Sequence, residues 1–223
     1  MAEAETHVLL VEGFADRDFF NQVCKLLNLH KNPKIQVATP QDYQAQRNTK
    51  EDVFKLLPSF LKKIEDIDNH LEHLAIVVDA DKLEHGSGYE KTIEKVKEIV
   101  KKHDFSLAEN KENGLIFKHP DGLADFGLWI MPNNQKEGIL ENFIKHCIKT
   151  EEQQLFSHAV QVVENIPSKK FKSHHYAKAE IATWLAWQNP PGRGLYGSLE
   201  DNLLDTSHPL FQELEHWLKQ IFI

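Results

Sequence analysis

Short apolar runs alternate along the first two-thirds of the chain with longer stretches whose apolar residues recur every three or four positions. The short runs predict buried strands, and the longer stretches predict amphipathic helices. The expected strands cover 7–12, 34–39, 73–79, 114–119 and 126–131. Strands separated by helices of this length favour a parallel sheet with helices on both faces.

The predicted helices fill the intervals between these strands. The first covers 16–29, and Thr49 is the expected N-cap of the second. Ser87 and Glu90 form a capping-box pattern before the third helix. Beyond Pro132 the pattern becomes helical. We therefore expect a three-layer, Rossmann-like α/β core with a mostly parallel sheet in residues 1–150, and a helical portion packed on it in 151–223.

Composition limits the class of protein. The chain has 223 residues and 41% hydrophobic content, enough for a sizeable core. No apolar run approaches the roughly 20 residues that span a bilayer, so we expect a soluble, cytoplasmic protein without a membrane partner. Cys24 and Cys147 lie in helical patterns without zinc-ligand spacing, and we expect both to be buried thiols.

The balance of charge bears on nucleic acid. A formal net charge of −8 disfavours non-specific coating of nucleic acid, whose affinity comes mainly from basic residues that neutralise phosphates. Four lysines in the last third could still form a local phosphate-binding patch: Lys169, Lys170, Lys172 and Lys178. Binding there should be weak, salt-sensitive and assisted by metal. The alternative is a solvated basic face.

Acidic residues end two of the predicted strands. Glu12 follows the first apolar run, and Asp79 ends the run at 73–79. Asp81 lies two residues later and points the same way as Asp79 if the strand persists. Neighbouring parallel strands would bring the three carboxylates together, where all-oxygen ligation suits Mg²⁺ or Mn²⁺. The alternative is that these acidic residues follow the strands only because the loops there are exposed to solvent.

These residues occur in the order of a known module. Glu12-Gly13 followed by a helix, and Asp79-Ala80-Asp81 later, resemble the Toprim domain of topoisomerases, primases and overcoming-lysogenization-defect nucleases. The carboxyl-terminal third, with a Lys-Ala before a Leu-Ala and then a Pro-Gly loop, resembles small uncharacterised bacterial Toprim-like proteins (domain of unknown function 3226). The resemblance therefore extends over almost the whole chain.

The resemblance implies a metal-dependent nuclease that cleaves phosphodiester bonds with a metal-activated water, in a bacterial defence or DNA-repair system. Glu12, Asp79 and Asp81 would be catalytic and would hold Mg²⁺ or Mn²⁺, with Asp16 as a further ligand. A later acidic residue after a glycine would help to hold a second ion. Glu141 is the candidate for that role, and Glu137 is the alternative.

Two other functions stay open at this point. One is a non-catalytic or conditionally active subunit that works beside an ATPase, which the negative charge favours. The other is a haloacid-dehalogenase-like phosphatase with Asp79 as nucleophile and Asp81 as acid. The mid-chain position of the motif, the following Lys82-Leu-Glu-His85 and the absence of a role for Glu12 disfavour the phosphatase. The sequence leaves open a homodimer and the choice between DNA and RNA.

Overall fold

The computed structural model describes residues 6–39, 49–66, 71–83, 87–108 and 114–222. Its strands are β1 (His7–Val11), β2 (Lys34–Val37), β3 (His73–Asp79), β4 (Ser106–Leu107), β5 (Leu115–Lys118) and β6 (Phe126–Met131). Its helices are α1 (Phe14–Leu27), α2 (Lys50–Glu65), α3 (Tyr89–Val100), α4 (Leu140–Cys147), α5 (Gln153–Glu164), α6 (Tyr176–Ala186), α7 (Gly197–Glu200) and α8 (Pro209–Ile221).

The six strands form one sheet in the order β2-β1-β3-β6-β5-β4. The first four are mutually parallel, and β5 and β4 complete one edge in antiparallel orientation. The mostly parallel α/β sheet predicted from the sequence is confirmed. Strand β4 was not predicted because two residues give no periodicity to detect. From β1 the chain passes to β2 on one side and then to β3 on the other, so the strand order reverses between β1 and β3.

Side chains alternate between the two faces of the sheet, and each face buries its own apolar cluster. Leu9 and Val11 of β1 belong to the cluster that includes residues of α1, α4 and α8. Val8 and Leu10 belong to the other cluster, with residues of α2 and α3. Each strand of the centre is therefore apolar along both faces, which explains the continuous apolar runs in the sequence.

The last helix packs directly on the sheet at two glycines. A Cβ at Gly127 of β6 would lie 2.8 Å from Cγ1 of Ile221, and one at Gly114 would overlap the indole ring of Trp217. From the sequence, Gly127 weakens the prediction of a strand. In the structure β6 forms regardless, and its missing side chain lets α8 approach the backbone closely.

The structure also tests the predicted helix caps and the state of the cysteines. Thr49 is confirmed as the N-cap of α2, and its N–H and hydroxyl both donate to Oδ2 of Asp52. Ser87 is not a cap, because α3 begins after Gly88; its hydroxyl donates instead to the backbone oxygen of Ala80. The two cysteines are buried and unpaired, as expected. None of the described helices is long and apolar enough to cross a membrane.

Candidate functional site

Two carboxylates lie at the carboxyl ends of adjacent parallel strands. Val11 of β1 pairs with Val77 of β3, and this register brings Glu12 beside the end of β3. The backbone N–H of Asp79 donates to Oε1 of Glu12 over 2.7 Å. Glu12 and Asp79 thus meet where the strand order reverses, which is the usual ligand-binding crevice of open parallel sheets.

Two helices each contribute an acidic residue from their first turn. Asp16 lies in the first turn of α1 and Glu141 in the first turn of α4. The N–H of Leu140, at the start of α4, donates to Oδ1 of Asp79 over 3.0 Å. The positive ends of the two helix dipoles therefore face this acidic group and offset part of its charge.

The pKa of each of these four carboxyl groups is raised. Burial is the largest cause, since it disfavours the charged form. It raises the pKa of Glu12 to about 8 and that of Asp16 to about 6, with further repulsion from neighbouring carboxylates. Burial and the charge of Glu12 place the pKa of Asp79 well above its usual range, and burial also raises the pKa of Glu141. The cluster therefore lacks enough positive charge to keep every member ionised at neutral pH.

One lysine from a later helix reaches this acidic cluster. Burial disfavours the charged form of Lys178 in α6, but the charges of Glu141, Asp79, Asp16 and Glu12 outweigh that effect and raise its pKa. Lys178 therefore remains an ammonium group at neutral pH. A single positive charge compensates only part of the four carboxylates around it.

The position of Asp81 differs from the expectation. Strand β3 ends at Asp79, and Asp81 has a φ of 61°, in the left-handed region, so the alternation of a strand does not extend to it. Its N–H donates to the backbone oxygen of Gly138 over 2.8 Å. Its carboxylate lies 2.7 Å from Nζ of Lys50. Asp81 nevertheless stays close enough for its charge to raise the pKa of Glu12 and of Asp79.

Lys50 is a site residue that the sequence analysis missed. Its Nζ donates to the backbone oxygen of Asp79 over 2.8 Å and to Oδ2 of Asp81 over 2.7 Å. It also donates to the hydroxyl of Ser87, so it joins the start of α2 to the loop after β3. The predicted start of α2 located Lys50 on the helix. No sequence pattern indicates that its side chain crosses to a loop about thirty positions later.

The structure separates the two candidates for the later acidic residue. Helix α4 begins at Leu140, so Glu141 lies in its first turn and Glu137 precedes the helix. The side chain of Glu141 is buried. Glu137 lies on the exposed side, where Oε1 accepts a hydrogen bond from the N–H of Leu83 over 2.8 Å. Glu141 therefore belongs to the acidic cluster. Glu137 instead contacts the loop after β3 through its hydrogen bond with Leu83.

A cleft of about 390 Å³ opens beside these groups. Acidic and basic residues from three parts of the chain contribute to its wall, which is formed by Asp81, Lys82, Ser87, Gly138, Ile139, Asn142, His174, His175 and Lys178. In the structure both histidines line the cleft, and the charge of His175 lowers the pKa of Glu141 against the larger effect of burial.

The predicted lysine patch divides into two parts. Lys178 lines the cleft, whereas Lys169, Lys170 and Lys172 lie in the segment between α5 and α6. Nζ of Lys169 donates to a backbone oxygen at the end of α5 over 2.8 Å. Phe171 lines a shallow hollow of about 300 Å³ together with Lys178. The segment with the three lysines therefore adjoins the cleft through Phe171.

The acidic cluster has the donor chemistry of a hard divalent cation, since all its donors are carboxylate oxygens. Within the described ranges, three ligand atoms that all lie within 4.8 Å of one another occur at His7, Glu72 and His73 rather than in the acidic cluster. The carboxylates are therefore more widely spaced than the ligands of one tightly held ion. Two ions that each take a subset of the ligands suit this spread better.

The fold and the site together define an α/β protein with a partly buried acidic centre at the switch point of a mostly parallel sheet. The sequence profile of one family, described as "Protein of unknown function (DUF3226)", matches residues 6–223. The chain belongs to this family, as its carboxyl-terminal motifs predicted. No curated protein and no solved structure matches it significantly.

Proposed function

We propose that the protein is a divalent-metal-dependent nuclease with a Toprim-like core. The observation that carries this proposal is the gathering of half-buried Glu12, Asp16 and Asp79 with buried Glu141 at one end of the sheet, where Lys178 lies beside them. Burying several carboxylates together lowers stability, and strongly perturbed groups beside a cleft mark functional sites more often than structural ones.

The order of the elements supports the same proposal. Glu12 directly follows β1, and Asp79 ends the adjacent parallel strand β3. This is the arrangement that the resemblance to the Toprim domain implies for its Glu-Gly and Asp-x-Asp motifs. Asp81, turned toward Lys50, would act at the rim of the site rather than beside Asp79.

The residues divide into ligands and phosphate contacts. Glu12, Asp16, Asp79 and Glu141 would hold Mg²⁺ or Mn²⁺, which would supply a hydroxide at neutral pH and neutralise phosphate oxygens. The Lys178 ammonium would donate hydrogen bonds to the phosphate as negative charge builds on it. Lys50 holds Asp81 and the loop after β3 in place through its hydrogen bonds to both.

Nucleic acid would be held mainly at the site itself. With a net charge of −8, the chain can attract a polyanion only where the local charge is reversed. Bound cations and Lys178 would provide that reversal inside the cleft, and Lys169, Lys170 and Lys172 would extend it along the adjoining segment. Binding should therefore be weak without divalent metal and sensitive to salt.

A cleavage assay tests the proposal. Single- and double-stranded DNA and RNA are incubated with the purified protein in Mg²⁺, Mn²⁺ or EDTA. We expect metal-dependent cleavage that falls about a hundredfold or more in Asp79→Asn and in Glu141→Gln. Glu137→Gln is the matched control, because it keeps an acceptor for Leu83 and lies on the exposed side of the loop. Equal activity in the parent and in Asp79→Asn would contradict the proposal.

A second arm of this assay addresses the conditionally active subunit. The excess of acidic residues is the observation that favours it, because a net-acidic chain needs help to hold nucleic acid. The reaction is repeated with a candidate ATPase and ATP. Cleavage that appears only in this arm, and still requires Asp79, would assign the chemistry to this chain and nucleic-acid capture to the partner.

A further inference from the structure

A second cluster of ligand groups lies at the opposite end of the two central strands. His7 begins β1 and His73 begins β3, and these two residues are direct neighbours in the parallel ladder. Their ring centroids are 4.9 Å apart, and Glu72 precedes His73. Glu12 follows His7 by five positions along β1, which places this cluster roughly 16 Å from the acidic centre.

The spacing of these groups is close to that of a metal site. One ligand atom from each of His7, Glu72 and His73 lies within 4.8 Å of the others. Nε2 of His7 is 3.7 Å from Oε2 of Glu72. Two ligands of one tetrahedral Zn²⁺ lie roughly 3.4 Å apart, given zinc–ligand bonds of about 2.0–2.1 Å. Only a small inward movement of the side chains would complete the site.

The histidines are in a suitable state to bind a metal ion. Burial, as the largest cause, lowers the pKa of both His7 and His73, which favours the neutral imidazole form. Nδ1 of His7 is buried without a hydrogen-bond partner in the described structure, and Nε2 has a contact of 3.3 Å with the hydroxyl of Thr6. The His7 ring is therefore held only weakly by hydrogen bonds.

We propose that His7, Glu72 and His73 form a site for a borderline divalent transition-metal ion, with Zn²⁺ as the best fit. Two imidazole nitrogens and one carboxylate oxygen suit Zn²⁺ and its neighbours better than Mg²⁺, which prefers oxygen ligands only. Three protein ligands leave a fourth position for water or another ligand. The site does not depend on the proposed nuclease, because it shares no residue with the acidic centre.

One neighbouring charge sets the expected strength of this site. Lys31 acts on both imidazoles, and its positive charge lowers the pKa of each. The same charge would repel a bound cation, which predicts moderate rather than very tight binding. Lys31→Met should therefore tighten zinc binding severalfold while leaving all three ligands in place.

Calorimetric titration of zinc into the untagged full-length chain tests the proposal. Excess Mg²⁺ is present throughout, so that it competes for the acidic centre. We expect one equivalent of bound Zn²⁺ and a loss of affinity of about tenfold or more in Glu72→Gln and His73→Gln. The control is His103→Gln, since His103 also pairs with a carboxylate, that of Glu65 at 2.9 Å, but belongs to no three-ligand cluster among the described residues. Asp79→Asn should bind this Zn²⁺ like the parent.

A second readout keeps the test decisive if a variant folds poorly. Co²⁺ bound to the parent should give the visible absorption bands of a four- or five-coordinate site, and Zn²⁺ at a hundred times its dissociation constant should raise Tm by roughly 5–10 °C. Glu72→Gln is the mildest ligand change, since the Glu72 side chain is 45% exposed. Failure of the parent to bind Zn²⁺, or unchanged binding in Glu72→Gln and His73→Gln, would reduce the cluster to a packed histidine pair with a nearby carboxylate.

Discussion

Replacing Glu12 by glutamine should stabilise the metal-free protein. The folded pKa of Glu12 is about 8, against an ordinary value of 4.5, because the group is buried among other carboxylates. Near pH 7 the folded state must therefore keep a proton that the unfolded state releases, which costs about 3 kcal/mol. Glutamine needs no such proton, and its side-chain oxygen can still accept the hydrogen bond from the N–H of Asp79.

The expected gain can be measured by urea unfolding in EDTA. Glu12→Gln should raise the free energy of unfolding near pH 7 by about 2–3 kcal/mol, or Tm by roughly 5–10 °C. Glu94→Gln, at an exposed position of α3, is the matched control and should change stability by less than about 0.5 kcal/mol. Addition of Mg²⁺ should stabilise the parent but have much less effect on Glu12→Gln.

The pH dependence of the parent follows from the same pKa. Because the folded pKa of Glu12 lies above its unfolded value, its contribution to stability is fully present below pH 4.5 and is lost as the pH rises through about 8. The lowered pKa values of His7, His73 and His146 act in the opposite direction, but only below about pH 7. Stability of the metal-free parent should therefore fall between pH 7 and 8.5, and less so in Glu12→Gln. A destabilised Glu12→Gln, or a parent that gains stability over this range, would refute the reasoning.

Three further predictions concern the site. Asp79→Asn should weaken Mn²⁺ binding in calorimetry by about tenfold or more without changing the circular dichroism spectrum, and unchanged affinity would remove Asp79 from the centre. Incubation with a small phosphate ester should leave no phospho-aspartate at position 79 by mass spectrometry, whereas its recovery would favour the phosphatase. Combined replacement of Lys169, Lys170 and Lys172 by alanine should weaken nucleic-acid binding across sequences and flatten its salt dependence, and parental binding at every salt concentration would leave only a solvated face.

Short-range patterns were sufficient to predict five of the six described strands. Each central strand is apolar on both faces, so continuous runs such as 74–78 stand out from the sequence. Glu12 and Asp79 were also predictable as neighbours, because parallel strands end at the same edge of the sheet. The α1 helix began two residues earlier than predicted, at Phe14, since the turn after Glu12 needs only Gly13.

The rest of the site depends on long-range contacts that periodicity cannot reveal. Asp81 follows a strand pattern in the sequence, but its backbone bridge to Gly138 turns it into the left-handed region. Lys50 of α2 and Lys178 of α6 interact with acidic residues that are distant from them in the sequence. Glu141 was predictable as a candidate, and the start of α4 at Leu140 distinguishes its surroundings from those of Glu137.

The close packing of α8 against Gly114 and Gly127 has a consequence for the chain while it is being synthesised. The sheet face that carries Leu9, Val77 and Trp129 is buried partly under α8, which is translated after the strands that it covers. Until residues 209–221 emerge from the ribosome, a newly made sheet exposes this apolar face to solvent, and it can associate with other nascent chains. A message cut short before residue 209 should therefore yield aggregated protein that recruits chaperones, even though all the described strands and the four residues of the acidic cluster have already been translated.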